Sequence, residues 1–112
     1  MTARQRGALI RRLERLAKIA IPGTLVEVFL PCGNPDCACH EDAKRRHGPH
    51  LYLKYRSLEG RSTGIYIPRW AEREARRSAQ AWREMKGMLA AIGDANRETL
   101  RTRIQTDRRG RA

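Results

Sequence analysis

The chain has 112 residues, with 24 Lys and Arg against 12 Asp and Glu, for a net charge of +12. That length suits one domain, and no apolar run approaches the ~20 residues that a membrane-spanning helix needs. Only six residues are aromatic, so the core is small and a staple such as a metal ion is expected.

The first element is a helix over residues 3–20. Leu9, Leu13, Leu16 and Ala20 recur at helical spacing and form one apolar stripe, with Arg4, Arg11, Arg15 and Lys18 largely off it. Pro22-Gly23 ends it. The arginines interrupt any signal-peptide core, and a cytoplasmic protein is expected.

Three strands follow. "GTLVEVFLP" (23–31) and "HLYLKYRS" (50–57) alternate in the manner of half-buried strands, and "RSTGIYIP" (61–68) follows a short Gly-containing turn. The inward set is expected to be Leu51, Leu53, Tyr55, Ile65 and Ile67. Tyr52, Lys54, Arg56, Ser62, Gly64 and Tyr66 then share the opposite face, which mixes basic and aromatic side chains.

Between the first two strands lies "PCGNPDCACHEDAKRRHGPH" (31–50), which holds every cysteine and every histidine of the chain. Three cysteines leave one unpaired in any disulfide scheme, and cytosolic thiols stay reduced. Metal ligation explains them better. Cys32, Cys37, Cys39 and His47 are spaced C-x4-C-x-C-x7-H, and three thiolates with one imidazole suit a closed, structural, tetrahedral Zn2+ site. Gly33, Asn34 and Pro35 favour a tight turn returning Cys32 toward Cys37. His47 is the expected fourth ligand. His40 directly follows Cys39, which strains a tetrahedral site, and His50 begins a strand and tends to point away; both stay open as alternatives. The chain lacks the H-x-E…P-C-x-x-C and H-E-x-x-H patterns of zinc hydrolases, and three thiolates make a poor Lewis acid, so no enzymatic activity is expected.

A last helix is expected over residues 69–106, opened by Pro68. Ala75, Ser78, Trp82, Met85, Leu89, Ile92, Asn96 and Thr99 alternate spacings of three and four, as in a coiled-coil seam. Such a helix would be ~55 Å long, more than so small a sheet can cover. Part of it must pack on the first helix, on another copy in a homodimer, or on nothing. Asn96 would fit a register-setting contact between chains. The whole reads as an α+β domain over residues 1–106, an N-terminal helix and a small three-stranded antiparallel sheet with a zinc-stapled loop before the long basic helix, with a disordered tail over 107–112.

The excess charge lies at the two ends. Residues 1–20 carry +5, residues 21–68 carry +1 and residues 69–112 carry +6. An excess this large, almost all arginine, points to nucleic acid, DNA before RNA. Candidate contacts are Lys44, Arg45 and Arg46 on the loop and Lys54, Arg56 and Arg61 on the hairpin. Arg4, Arg11 and Arg12 on the first helix, and Arg73, Arg76 and Arg77 on the last, complete the set. The competing expectation is a protein–protein adaptor that docks through the long helix. The run "CGNPDCAC…HGPHLYLKYR", followed by "GRSTGIYIP" and a long basic helix, resembles a family of short bacterial, phage or mobile-element proteins with a CGxPxCxC…HGP motif. The resemblance spans residues 23–92, supports Cys32, Cys37, Cys39 and His47 as metal positions, and implies a setting in mobile-element DNA metabolism.

Overall fold

The computed structural model describes residues 1–111, apart from the side chain of Ala43. Its order is helix α1 (Ala3–Ala17), strand β1 (Thr24–Leu30), strand β2 (His47–Arg56), strand β3 (Ser62–Ile67) and helix α2 (Glu72–Arg111), with short 3-10 turns at Ala38–His40, Ala43–Arg45 and Arg69–Ala71. This is the expected α+β architecture. The chain divides into two compact units, residues 1–20 with 81–112 and residues 21–80, rather than one block over 1–106.

In the first unit, α1 opens on a capping box. Thr2 Oγ1 accepts from the Gln5 amide at 3.0 Å, and Gln5 Oε1 accepts from the Thr2 amide at 2.8 Å. Leu16 is buried, Leu9 and Leu13 are half-buried, and Ala81 of α2 is buried in the same unit. Arg12 pairs with Glu84 at 3.1 Å and Arg6 Nη1 donates to Asn96 Oδ1 at 2.7 Å, so α1 runs antiparallel to α2. Part of the expected seam is therefore met by α1, with Asn96 bonded to Arg6, while Leu89 and Thr99 of the same seam are exposed. Beyond Asn96 every residue of α2 is exposed to Arg111. Residues 107–111, expected as part of a disordered tail, are helical. Ion pairs Arg97–Asp94, Arg101–Glu98 and Arg111–Asp107 at helical spacing support that segment locally.

In the second unit the strands form one antiparallel sheet in the order β1-β2-β3. Register sets Leu25 opposite Leu53 and Glu27 opposite Leu51, while Ile65 and Ile67 face Leu53 and Leu51 from β3. Leu51 and Leu53 are the buried centre of this face. The start of α2 covers it. Arg76 reaches Glu27 at 3.2 Å, Ser78 and Ala79 are buried, and the Ser78 carbonyl accepts from the Ile21 amide at 3.0 Å. Ile65, expected inside, is 48% exposed. It sits on an edge strand, and the Arg76–Glu27 pair draws α2 toward the opposite edge.

β2 begins at His47, not at His50. Its pairing with β1 is regular from Lys54 to His50 and then slips by one residue, so that Leu30 faces His47. A bulge of this kind switches which face a side chain meets. Strict alternation would send His47 to the Leu51 face; the slip turns it to the side of His50, Tyr52 and Leu30. Gly48 permits it. Its φ is 149°, and a Cβ there would meet the Val28 carbonyl at 2.8 Å. Gly48→Ala should destabilise the second unit by about 1–3 kcal/mol, since strained backbone and a clash act together. Thermal unfolding of the variant checks this; an unchanged midpoint would show that the second unit does not need glycine at this bulge.

Candidate metal centre and the open sheet face

The loop from Pro31 to Arg46 folds on short-range hydrogen bonds because it has almost no apolar side chains. Asn34 accepts from the Asp36 amide at its side chain (3.1 Å) and from the Cys37 amide at its carbonyl (3.1 Å). This Asx turn reverses the chain between Cys32 and Cys37. The 3-10 turn at Ala38–His40 then buries Cys39, which is only 2% exposed. The Cys32 amide donates to Cys39 Sγ at 3.2 Å.

These turns and the β2 bulge bring four donor atoms together. The sulfurs of Cys32, Cys37 and Cys39 and a ring nitrogen of His47 all lie within 4.8 Å of one another. Cys32 Sγ to Cys39 Sγ is 3.5 Å, and Cys37 Sγ to His47 Nε2 is 3.3 Å. Zn–S bonds of about 2.3 Å in a tetrahedron imply edges of about 3.8 Å. These two separations are a little shorter than such an edge and none of the four atoms lies more than 4.8 Å from another, so small side-chain shifts would seat a tetrahedral ion. The cluster is the expected one, and His47 is its histidine. His40 Nε2 lies 2.8 Å from the Cys32 carbonyl and is occupied there. His47→Ala should thus lose stoichiometric metal and His40→Ala should keep one equivalent, as read by elemental analysis of the purified proteins.

Within the cluster the thiolate is favoured at Cys37. The Cys37 thiol is lowered to about 6, first by a backbone hydrogen bond from Cys39, then by His47 and the neighbouring sulfurs. Burial pushes the Cys39 thiol up, partly offset by the Cys32 amide. A depressed folded-state pKa contributes stability above the ordinary thiol range, and that stability is lost as pH falls through about 6. Metal retention should therefore weaken as pH drops through about 6, because protons compete for the same sulfur. Transfer of the ion to a chromophoric chelator at a series of pH values measures it; release independent of pH between 8 and 5 would contradict it.

The face of the sheet opposite Leu51 is not covered within its unit. Tyr52 pairs across from Tyr66, Lys54 from Gly64 and Arg56 from Ser62. Tyr66 is 52% exposed, and Lys54 and Arg56 are exposed. Ring centroids of Tyr52 and Tyr66 are 5.6 Å apart, and those of His50 and Tyr66 are 6.3 Å apart. His50, left without a role by its sequence position, is thus the third aromatic ring of this face; its two-residue spacing from Tyr52 was the available signal.

The basic candidates separate into distinct environments. Lys44, Arg45 and Arg46 are exposed on the metal loop. Asp42 anchors that segment, accepting from the Lys44 amide at 2.9 Å and lying 3.8 Å from Arg45 Nε. Arg61 is exposed at the hairpin turn, where the Ser57 amide donates to its carbonyl at 2.8 Å. Arg73 and Arg77 are exposed at the start of α2. Arg76 is held between Glu72 (3.0 Å) and Glu27 (3.2 Å), and Arg12 is paired with Glu84. Both serve internal ion pairs. Arg4 and Arg11 are exposed on α1 in the other unit.

Fold and cluster together define a small α+β protein with a Cys3His cluster able to hold a metal ion at a strand-to-strand connection. The chain belongs to the family described as a domain of unknown function, DUF6788, whose profile matches residues 2–77. That span takes in α1, the sheet and all four cluster residues, and it ends within the second turn of α2. No curated protein and no solved structure matches the chain. Among the described residues, no helix is long and apolar enough to cross a membrane.

Proposed function

We propose that the protein is a non-enzymatic DNA-binding module whose Cys32, Cys37, Cys39 and His47 hold a structural Zn2+. The observation that carries this reading is the uncovered sheet face. It sets Lys54 and Arg56 beside Tyr52 and Tyr66, next to a loop that presents Lys44, Arg45 and Arg46. Exposed cations of this density suit phosphate, and arginine's planar fork suits it best. Four protein ligands would close the coordination shell and leave no position for a substrate, which supports a structural ion. The setting implied by the sequence resemblance, mobile-element DNA metabolism, is in keeping with such a module.

Binding should fall steeply and linearly on a plot of log affinity against log salt, because phosphate contacts release counterions. Fluorescence anisotropy of the full chain with labelled duplex and single-stranded probes tests this. No binding to either at low salt defeats the proposal. A second reading is favoured by Leu89, Leu100 and Ile104, which are 56%, 55% and 47% exposed on α2. In it, α2 pairs with α2 of a second copy, and sedimentation of the free protein decides between monomer and dimer.

A further inference from the structure

We infer that the cavity beside the metal centre receives an unpaired nucleobase, so that the nucleic acid engaged by this face is single-stranded. The inference rests on the nucleic-acid reading and names the substrate class for it. The cavity measures about 380 Å3 and is walled by Leu30, Cys32, His47, His50, Tyr52 and Tyr66. It lies at the lower end of the range for small-ligand sites, sized for one aromatic group.

Its walls are built for a flat ring. Tyr66 is inclined by about 60° to both Tyr52 and His50, so neither neighbour lies flat upon it. About half of Tyr66 is exposed, which leaves ring surface for a stacked base. Charge continues from the same place. Lys54 follows Tyr52 on the same face of β2, two residues or about 6.6 Å along the strand. Arg56 is two residues further. A base seated against Tyr66 would bring its own phosphate within reach of these long side chains.

Duplex DNA could fill such a pocket only by extruding a base, at a cost of a few kcal/mol in lost pairing and stacking that a single strand does not meet. An acidic peptide would satisfy the cations but would leave the ring cluster unused. A single strand satisfies both, since every base has a π-face and every link carries a charge. The bulge at Gly48 contributes here as well. By turning His47 to the open face, it makes the metal centre one wall of the cavity, so metal ordering and base binding share one loop.

The test compares three labelled probes of equal length on the full-length, metal-loaded protein: an oligothymidine strand, its duplex with oligoadenosine, and a strand of abasic sites. The abasic strand keeps the charge and lacks the bases. Stacking makes the oligothymidine bind about tenfold or more tighter than the abasic strand. Tyr66→Leu, which keeps apolar bulk, should remove that margin and leave abasic binding unchanged; Tyr66→Phe should preserve it. Equal binding of oligothymidine and abasic strand by the natural protein, tighter binding of the duplex, or a margin that survives Tyr66→Leu overturns the pocket assignment while nucleic-acid binding stands. If Tyr66→Leu does not fold, the comparison on the natural protein alone still decides. Absence of binding to all three probes removes the nucleic-acid reading, and this inference with it.

Discussion

Cys37→Ser should strip the metal and unfold the second unit. Cys37 is only half-buried, and serine is close to it in size, so lost packing accounts for little. Lost coordination accounts for the rest. Structural zinc sites in small domains are worth roughly 10–16 kcal/mol of apparent binding energy, and that energy is folding energy. Even a third of it is comparable to the ~5 kcal/mol at the low end of whole-domain stability. Apart from short-range hydrogen bonds little else holds the loop, since Cys39 is its one buried residue among those described between β1 and β2. The cluster residues all belong to residues 21–80, and the α1–α2 unit holds none of them. Helical circular dichroism should therefore persist in the variant while bound metal and the metal-dependent melting transition vanish. A variant that retains one equivalent of metal and the natural melting curve would refute the site.

Changing Lys44, Arg45 and Arg46 together to Glu should leave the fold intact and cut DNA affinity by two orders of magnitude or more at about 0.1 M salt. All three side chains are exposed, and the only ion pair lost among the described residues is the long Arg45–Asp42 contact, which at the surface is worth at most about 1 kcal/mol. Each phosphate contact contributes about 0.7 to the slope of log affinity against log salt on a single strand and about 0.9 on a duplex, so losing three should lower that slope by about 2 to 2.7. Titrations of natural and variant protein at four or five salt concentrations read both quantities. An unchanged slope would move the phosphate contacts off this loop, to Lys54 and Arg56 or to the arginines of the helices.

The two predictions draw on different parts of one twenty-residue segment. Cys32, Cys37, Cys39 and His47 shape it, and Lys44 to Arg46 are what the shape presents. The cavity at its edge adds a third component, since His47 belongs both to the cluster and to the wall facing Tyr66. Metal removal should then weaken the base-dependent part of binding more than the salt-dependent part.

Much of this was legible from spacing and alternation. The C-x4-C-x-C-x7-H pattern predicts the cluster because metal ligands must be dense along a chain that turns tightly, and Asn34 and Pro35 mark the turn. Period-two alternation sorts β2 and β3 correctly, with Leu51 and Leu53 on one face and Tyr52, Lys54 and Arg56 on the other. Helical spacing finds the stripe of α1. These are local properties, written in the intervals between neighbouring residues.

Other features depended on what meets what. Alternation cannot say which sheet face is covered; the Arg76–Glu27 pair and the buried Ser78 and Ala79 place α2 on the Leu51 face. The seam on α2 is visible in sequence, but that α1 meets part of it, through Arg12–Glu84 and Arg6–Asn96, is not. The bulge that turns His47 is a mismatch between two strands, and neither strand alone contains it. Sequence by itself thus determined the cluster residues, the elements and the charge, since each is carried by one segment. Tertiary structure alone decided the open face, the role of Asn96 and the cavity beside the metal centre. Those arise only where residues distant along the chain compete for the same surface.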